Sequence, residues 1–131
     1  MIRAAVGADI PRLIDMIERL VEAVNGPQRV DRLKTGQTLA GLIQDPKGVV
    51  LVSDAGFIAG CITQTVINPH PVAVELGWFC EDHSGADLLR AFEAWAAEQD
   101  ATLVKMTCAG GVVQTMLERA GYRVAEIQMV K

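Results

Sequence analysis

The chain has 131 residues, half of them hydrophobic and 21% charged, which is enough for one real core, too short for two ordinary domains, and outside the core-poor, highly charged class of disordered proteins. Its net charge of −4, with no Lys/Arg cluster, opposes attraction to a phosphate backbone and suits cationic or amine substrates better; nucleic acid is therefore not an expected partner. No apolar run nears the ~18 residues of a membrane span, the first residues hold no signal-peptide core, and Cys61, Cys80 and Cys108 are widely separated, so a soluble cytoplasmic protein with reduced thiols and no metal site is expected.

Residues 2–5 read as a short strand closed by Gly7. Asp9 fits a helix N-cap, and Pro11 falls in the first turn, where its missing N–H is no loss. Ile10, Leu13, Ile14, Ile17, Val21 and Val24 recur at helical spacing opposite a charged face, which predicts a first amphipathic helix. Asn25, Gly26 and Pro27 close it, because Asn and Gly accept a left-handed turn and Pro cannot continue a helix. Residues 30–44 carry a weaker pattern, interrupted by Thr35 and Gly36. With Leu39, Leu42 and Ile43 on one face they predict a shorter second helix ending at Asp45, since the residue before Pro46 is driven out of the α region. Two β-rich runs, 49–53 and 57–67, flank Asp54, Ala55 and Gly56, the signal of a hairpin.

After the rigid turn at residues 68–71, residues 72–96 form the unit that organises the rest: a strand, a short polar turn and an amphipathic helix. Such a turn is where α/β proteins hold anions, because the helix start offers unpaired backbone N–H groups. Residues 102–108 predict another strand, Gly110 and Gly111 a corner, and Val112, Val113, Met116, Leu117 and Ala120 a short helix with Gly121 at its C′ position. Residues 122–130 predict a closing strand. The order β-α-α-β-β-β-α-β-α-β implies an α/β fold with a mixed sheet and helices on both faces, with 1–131 forming one domain.

This order, together with the runs IRAAVGADIPRL, VVLVSDAGFIAGCI, VELGWF, LLRAFEAWA and MLERAGYRVAEIQMVK, resembles the GNAT superfamily of N-acetyltransferases, most closely its short phage and bacterial members. The resemblance covers almost the whole chain and rests on the order of the motifs more than on any one of them. It implies acetyl-CoA as cosubstrate, lying in a cleft where the fourth and fifth strands splay, and direct attack on the thioester by the amine of a small molecule or peptide.

In the fourth strand, strict alternation places Val72, Val74, Leu76 and Trp78 on one face and Ala73, Glu75, Gly77 and Phe79 on the other. Glu75 stands out, because a carboxylate on a central strand is costly unless paired or solvated. An amine of pKa ~10 must lose a proton before attacking, and burial would raise a glutamate and make it a better base. Family members often carry a glutamate on this strand, so the resemblance makes Glu75 the candidate general base. A structural glutamate bound to lysine or to a backbone N–H explains the same residue.

By the same resemblance Phe79, Cys80 and the turn His83, Ser84, Gly85, Ala86, Asp87 and Leu88 would hold the cofactor, mainly through backbone. This turn departs from the family pattern: it has one glycine and no arginine, and Glu81, Asp82 and Asp87 oppose a pyrophosphate. Ser84 with Asp87 three residues on also reads as a capping box. Leu117 stands where the family's proton-donating tyrosine would be, Gly110 stands near its asparagine, and Tyr122 takes the place of a packing aromatic. Neither Cys80 nor Cys108 has an activating histidine beside it in sequence. Two readings follow: an acetyl-CoA-dependent N-acetyltransferase, or a catalytically lapsed GNAT-fold binding or regulatory module, for which a homodimer is an option.

Overall fold

A computed structural model describes residues 1–131. The elements run β1 (Arg3–Ala4), α1 (Ile10–Ala23), α2 (Arg32–Gln44), β2 (Gly48–Val52), β3 (Gly56–Thr63), β4 (Val72–Cys80), α3 (Gly85–Glu98), β5 (Leu103–Lys105) and α4 (Gly111–Arg119), with a 3-10 turn at Gly7–Asp9 before α1. The strands form one sheet in sequence order, antiparallel throughout except for the parallel pair β4 and β5. Leu13, Ile14 and Met16 of α1 and Leu39 of α2 pack on Val50, Val52, Phe57 and Ala59 on one face. Leu88, Phe92 and Ala96 of α3 pack on Val49, Ile58 and Ala73 on the other. The mixed sheet with helices on both faces is thus as the periodicities predict.

Local chemistry sets the helix ends. Asn25 takes the left-handed conformation at φ 51°, and the Gly26 N–H reaches back to the Val21 carbonyl at 2.8 Å, closing α1. Gly121, at φ +97°, closes α4 in the same way, with the Tyr122 N–H on the Leu117 carbonyl at 3.0 Å. The carboxylate of Asp31 caps α2 by accepting from the Lys34 N–H at 2.8 Å. Asp9 stands at the start of α1 but makes no capping bond to that helix. Instead its carboxylate accepts both guanidinium N–H groups of Arg3 at 2.8 and 2.9 Å and the Val6 N–H at 2.8 Å.

Arg3 first, then the Val6 N–H, hold the Asp9 carboxyl well below the usual carboxylate range. A depressed folded pKa contributes stability above the unfolded value and loses it as pH falls toward the folded one. Asp9→Asn should therefore cost about 1–2 kcal/mol at neutral pH, because the buried carboxylate that accepts from half-exposed Arg3 and from the Val6 N–H loses its charge. Thermal melts should show the gap from wild type closing as pH falls below about 4; a gap unchanged down to pH 2 would mean that charge is not its origin.

Three strand expectations are cut back or lost: the strand expected over 102–108 forms only at Leu103–Lys105. The third strand stops at Thr63, which pairs with Val72, the first residue of β4; residues 64–67 lie beyond any ladder, and Val66 and Ile67 are exposed. The closing strand expected at 122–130 is not formed: the residues after α4 carry no ladder bonds. β-propensity alone does not make a strand; neither segment joins the ladder of the sheet.

Candidate functional site

The feature that strict alternation misses is a bulge in β4. Ala59 pairs with Gly77 and Gly60 with Glu75, so Leu76 has no opposite residue on β3. The extra residue inverts the side-chain order beyond it. Ala73 lies on the α3 face, whereas Gly77 meets the Phe57 ring on the α1/α2 face and Phe79 packs there too. Trp78 and Cys80 pack on the α3 face. The predicted grouping of Ala73, Glu75, Gly77 and Phe79 on a single face is therefore corrected.

The parallel ladder between β4 and β5 covers only Val72, Ala73 and Val74. From Glu75 onward the β5 side of β4 has no strand hydrogen-bonded to it. Glu75 is 7% exposed, and its Oε1 accepts the Thr107 N–H at 2.9 Å, just past the end of β5. The carboxylate thus takes a backbone donor that lies beyond the β4–β5 ladder. Burial pushes the Glu75 carboxyl up to about 7, against a weaker opposing pull from the Thr107 N–H. Gly60, its cross-strand partner, leaves space for the Phe92 ring: a Cβ there would come within 2.5 Å of Phe92 Cε1.

The turn after β4 is locked from within. One Asp82 oxygen accepts from Ser53 Oγ and from the Ala55 N–H, each at 2.8 Å, and the other accepts from the Ser84 hydroxyl and N–H. These donors, Ser84 Oγ foremost, hold Asp82 well below the ordinary carboxylate range. Ser84 precedes α3 but its hydroxyl makes no capping bond; the predicted capping box does not form, because that hydroxyl is turned toward Asp82 and Ser53, away from the helix N–H groups, and Asp87 turns outward to Arg90. As a result the N–H groups of Gly85, Ala86 and Asp87 have no hydrogen-bond partner within the chain. Trp78 Nε1 donates to the Gly85 carbonyl at 3.2 Å and steadies the same turn.

The acids of this turn are also not bare. Glu81 pairs with Arg19 at 2.9 Å, Asp87 pairs with Arg90, and Asp82 is saturated by four donors. Of the remaining predicted turn residues, His83 is exposed and adopts φ 61°, while Leu88 is fully buried in the core with its N–H on the Ser84 carbonyl at 2.8 Å. Thr107, Arg19 and Arg90 escape a sequence reading. Only Arg90, three residues from Asp87 on a helix, carried a visible signal.

An apolar cavity of about 260 Å³ lies on the opposite face at the bulge, lined by Leu20, Leu39, Phe57 and Leu76, with Lys34 its one ionic group. Tyr122 donates to Glu93 of α3 at 2.8 Å; burial first, then Glu93, raises its hydroxyl above the ordinary range. All three cysteines are free thiols, and no group of three or more His, Cys, Asp or Glu side chains is arranged to hold a metal ion. No helix is long and apolar enough to cross a membrane.

No protein-family model matches the chain, and no curated protein does. Solved structures match it over its length. A possible acetyltransferase from Clostridium difficile 630 superposes with a TM-score of 0.75 at 12% identity, covering 100% of this chain and 95% of that one. A transcriptional regulator from Bacillus halodurans C-125 gives 0.78 at 16% identity, with 100% and 97% covered. An integron cassette protein from the mobile metagenome of Cole Harbour Salt Marsh gives 0.77 at 12%, with 99% and 88% covered. At these identities the likeness is one of fold. The mixed five-stranded sheet with helices on both faces is a fold shared with solved structures described as a possible and a probable acetyltransferase.

Proposed function

We propose that residues 1–131 act as one acyltransferase domain that moves an acetyl group from acetyl-CoA to an amine. The observation that carries this reading is the conjunction at β4: a buried glutamate, its carboxyl pushed up to about 7 by burial, stands where the strand's edge toward β5 becomes unpaired. The free edge from Glu75 to Cys80, including Phe79, offers backbone groups to the amides of the pantetheine arm. The partnerless N–H groups of Gly85, Ala86 and Asp87, with Arg90 beside them, offer an electropositive helix start to the pyrophosphate. Ion pairing of Glu81 and Asp87 offsets the repulsion that their sequence suggests.

In the proposed reaction Glu75, directly or through one water, takes the proton of the acceptor ammonium. The freed amine forms its C–N bond at the thioester carbonyl carbon as the C–S bond breaks, giving an acetamide and CoA thiolate. With Leu117 in place of a proton-donating tyrosine, the thiolate takes its proton from solvent.

Acetyl-CoA at one hundred times its Kd should stabilise the native state by about 2.7 kcal/mol, or roughly 8 °C in Tm for a chain of this size. No shift at millimolar acetyl-CoA would overturn the reading. The lapsed-module alternative has one specific support, the Thr107 N–H on Glu75, which makes that carboxylate a brace for β5 whether or not it moves protons.

A further inference from the structure

The α1/α2 face of the sheet keeps a cavity that the proposed reaction does not use. It measures about 260 Å³ and lies between Ile17 and Leu20 of α1, Leu39 and Leu42 of α2, and Phe57 and Leu76 of the sheet. The bulge shapes it: Leu76 has no partner on β3 and stands 55% exposed, and Gly77 after it brings no side chain to the space. Its floor belongs to the core, with Phe57 fully buried and Leu39 nearly so, whereas Lys34, Thr38 and Leu76 on its rim are exposed, so the cavity opens to solvent. Protein interiors seldom leave such a void, and apolar walls that face water are stabilised when an apolar body displaces that water.

The polar part of the lining sets the charge of an occupant. Lys34 is the one ionic side chain on the cavity, and its ammonium has no carboxylate within ion-pair distance. Thr35 and Thr38, the other polar side chains there, donate their hydroxyl protons to the Asp31 and Lys34 carbonyls at 2.7 and 3.0 Å. The lining is thus left with one free donor, and that donor is a cation on a flexible four-carbon stem that lets it fold over the mouth. We propose that this cavity is a binding site for a small apolar monocarboxylate, with its hydrocarbon body between α1, α2 and the β4 bulge and its carboxylate on the Lys34 ammonium. The volume corresponds to about nine water-sized groups, which suits a carboxylate of roughly eight carbons. The preference for an anion is local to Lys34, because the chain as a whole carries a net charge of −4. The inference stands apart from acetyl transfer, since it needs only the cavity and its lysine.

Isothermal titration calorimetry of the full chain with sodium octanoate should show one site per chain, with a Kd of about 0.1–1 mM for a ligand of roughly ten heavy atoms. Octylamine, of the same length and opposite charge, should bind at least ~10-fold more weakly, although the net charge of the chain favours it. Lys34 is exposed, so Lys34→Met should keep the near-UV circular dichroism of the wild type while weakening octanoate by roughly 10-fold. Lys34→Arg should restore most of that affinity. In methyl NMR spectra octanoate should shift Leu39 and Leu76 and leave Leu88, on the α3 face, unmoved. No binding at about 10 mM octanoate, octylamine bound as tightly as octanoate, undiminished binding in Lys34→Met, or shifts at Leu88 in place of Leu39 and Leu76 would each overturn the proposal.

Discussion

Glu75→Gln is expected to lower acetyl transfer by roughly 10²–10⁴-fold, the range of a lost general base, while leaving acetyl-CoA affinity essentially unchanged. The amide is chosen because its Oε1 can still accept the Thr107 N–H that Glu75 holds at 2.9 Å, so the brace on β5 survives while the base does not. Glu75→Ala removes both and should lose stability as well as turnover. Wild-type turnover should rise through a limb near pH 7, where the carboxyl titrates, and that limb should vanish in the amide variant. Unchanged turnover in Glu75→Gln would leave Glu75 only the bracing role and favour the lapsed-module reading.

Stability supplies a second readout of the same residue. The folded carboxyl titrates at about 7 against 4.5 for the free group. Below pH 4.5 both states are protonated and nothing differs. Between the two values the unfolded chain loses its proton first, so stability falls as pH rises, by up to about 3 kcal/mol above pH 7. Glu75→Gln carries no such penalty: its Tm should exceed that of wild type at pH 8 and converge with it near pH 4. A difference of constant size across that range would show that Glu75 is not desolvated as described.

Phe92→Ala is expected to produce the largest loss of stability, about 3–5 kcal/mol, from lost transfer energy and the cavity left behind. The ring is fully buried, stacks on Trp95 at 5.7 Å between centroids, and fills the space above Gly60, the cross-strand partner of Glu75. Chemical denaturation should show the midpoint falling with little change in slope. Water entering that space would rehydrate the carboxylate, so the pH 7 limb of turnover should move to lower pH in the same variant. Gly60→Ala approaches the site from the opposite side. Its methyl would stand 2.6 Å from the Val74 carbonyl as well as against Phe92, so trimming the ring alone should not rescue it. A fully stable Gly60→Ala would show that β3 and β4 can part at the bulge without loss.

Much of this was legible in the chain. The apolar stripe of α1, the Pro46 stop after α2, the hairpin around Asp54 and the glycine at position 121 are local signals, set by helical period, proline geometry and left-handed backbone, and each element stands where its signal put it. Glu75 was visible for a similar reason: one carboxylate in an apolar strand calls for a partner. The helix starts were less legible. Asp9 and Ser84 occupy capping positions, but their side chains serve other partners brought near by the fold, Arg3 in one case and Asp82 with Ser53 in the other.

The sequence by itself determined the α/β class, the order of the elements from β1 to α4, and the strand on which a titratable group would be found, because all of these follow from spacing along one chain. Only the tertiary structure decided what surrounds that group. The bulge at Leu76 is a relation between two strands, the Thr107 donor comes from 32 residues away, and the acids of the turn are neutralised by Arg19 from α1 and Arg90 from α3. Tertiary structure also decided that residues 123–131 are not a strand of this sheet, since β-propensity alone does not make a strand without a ladder to join.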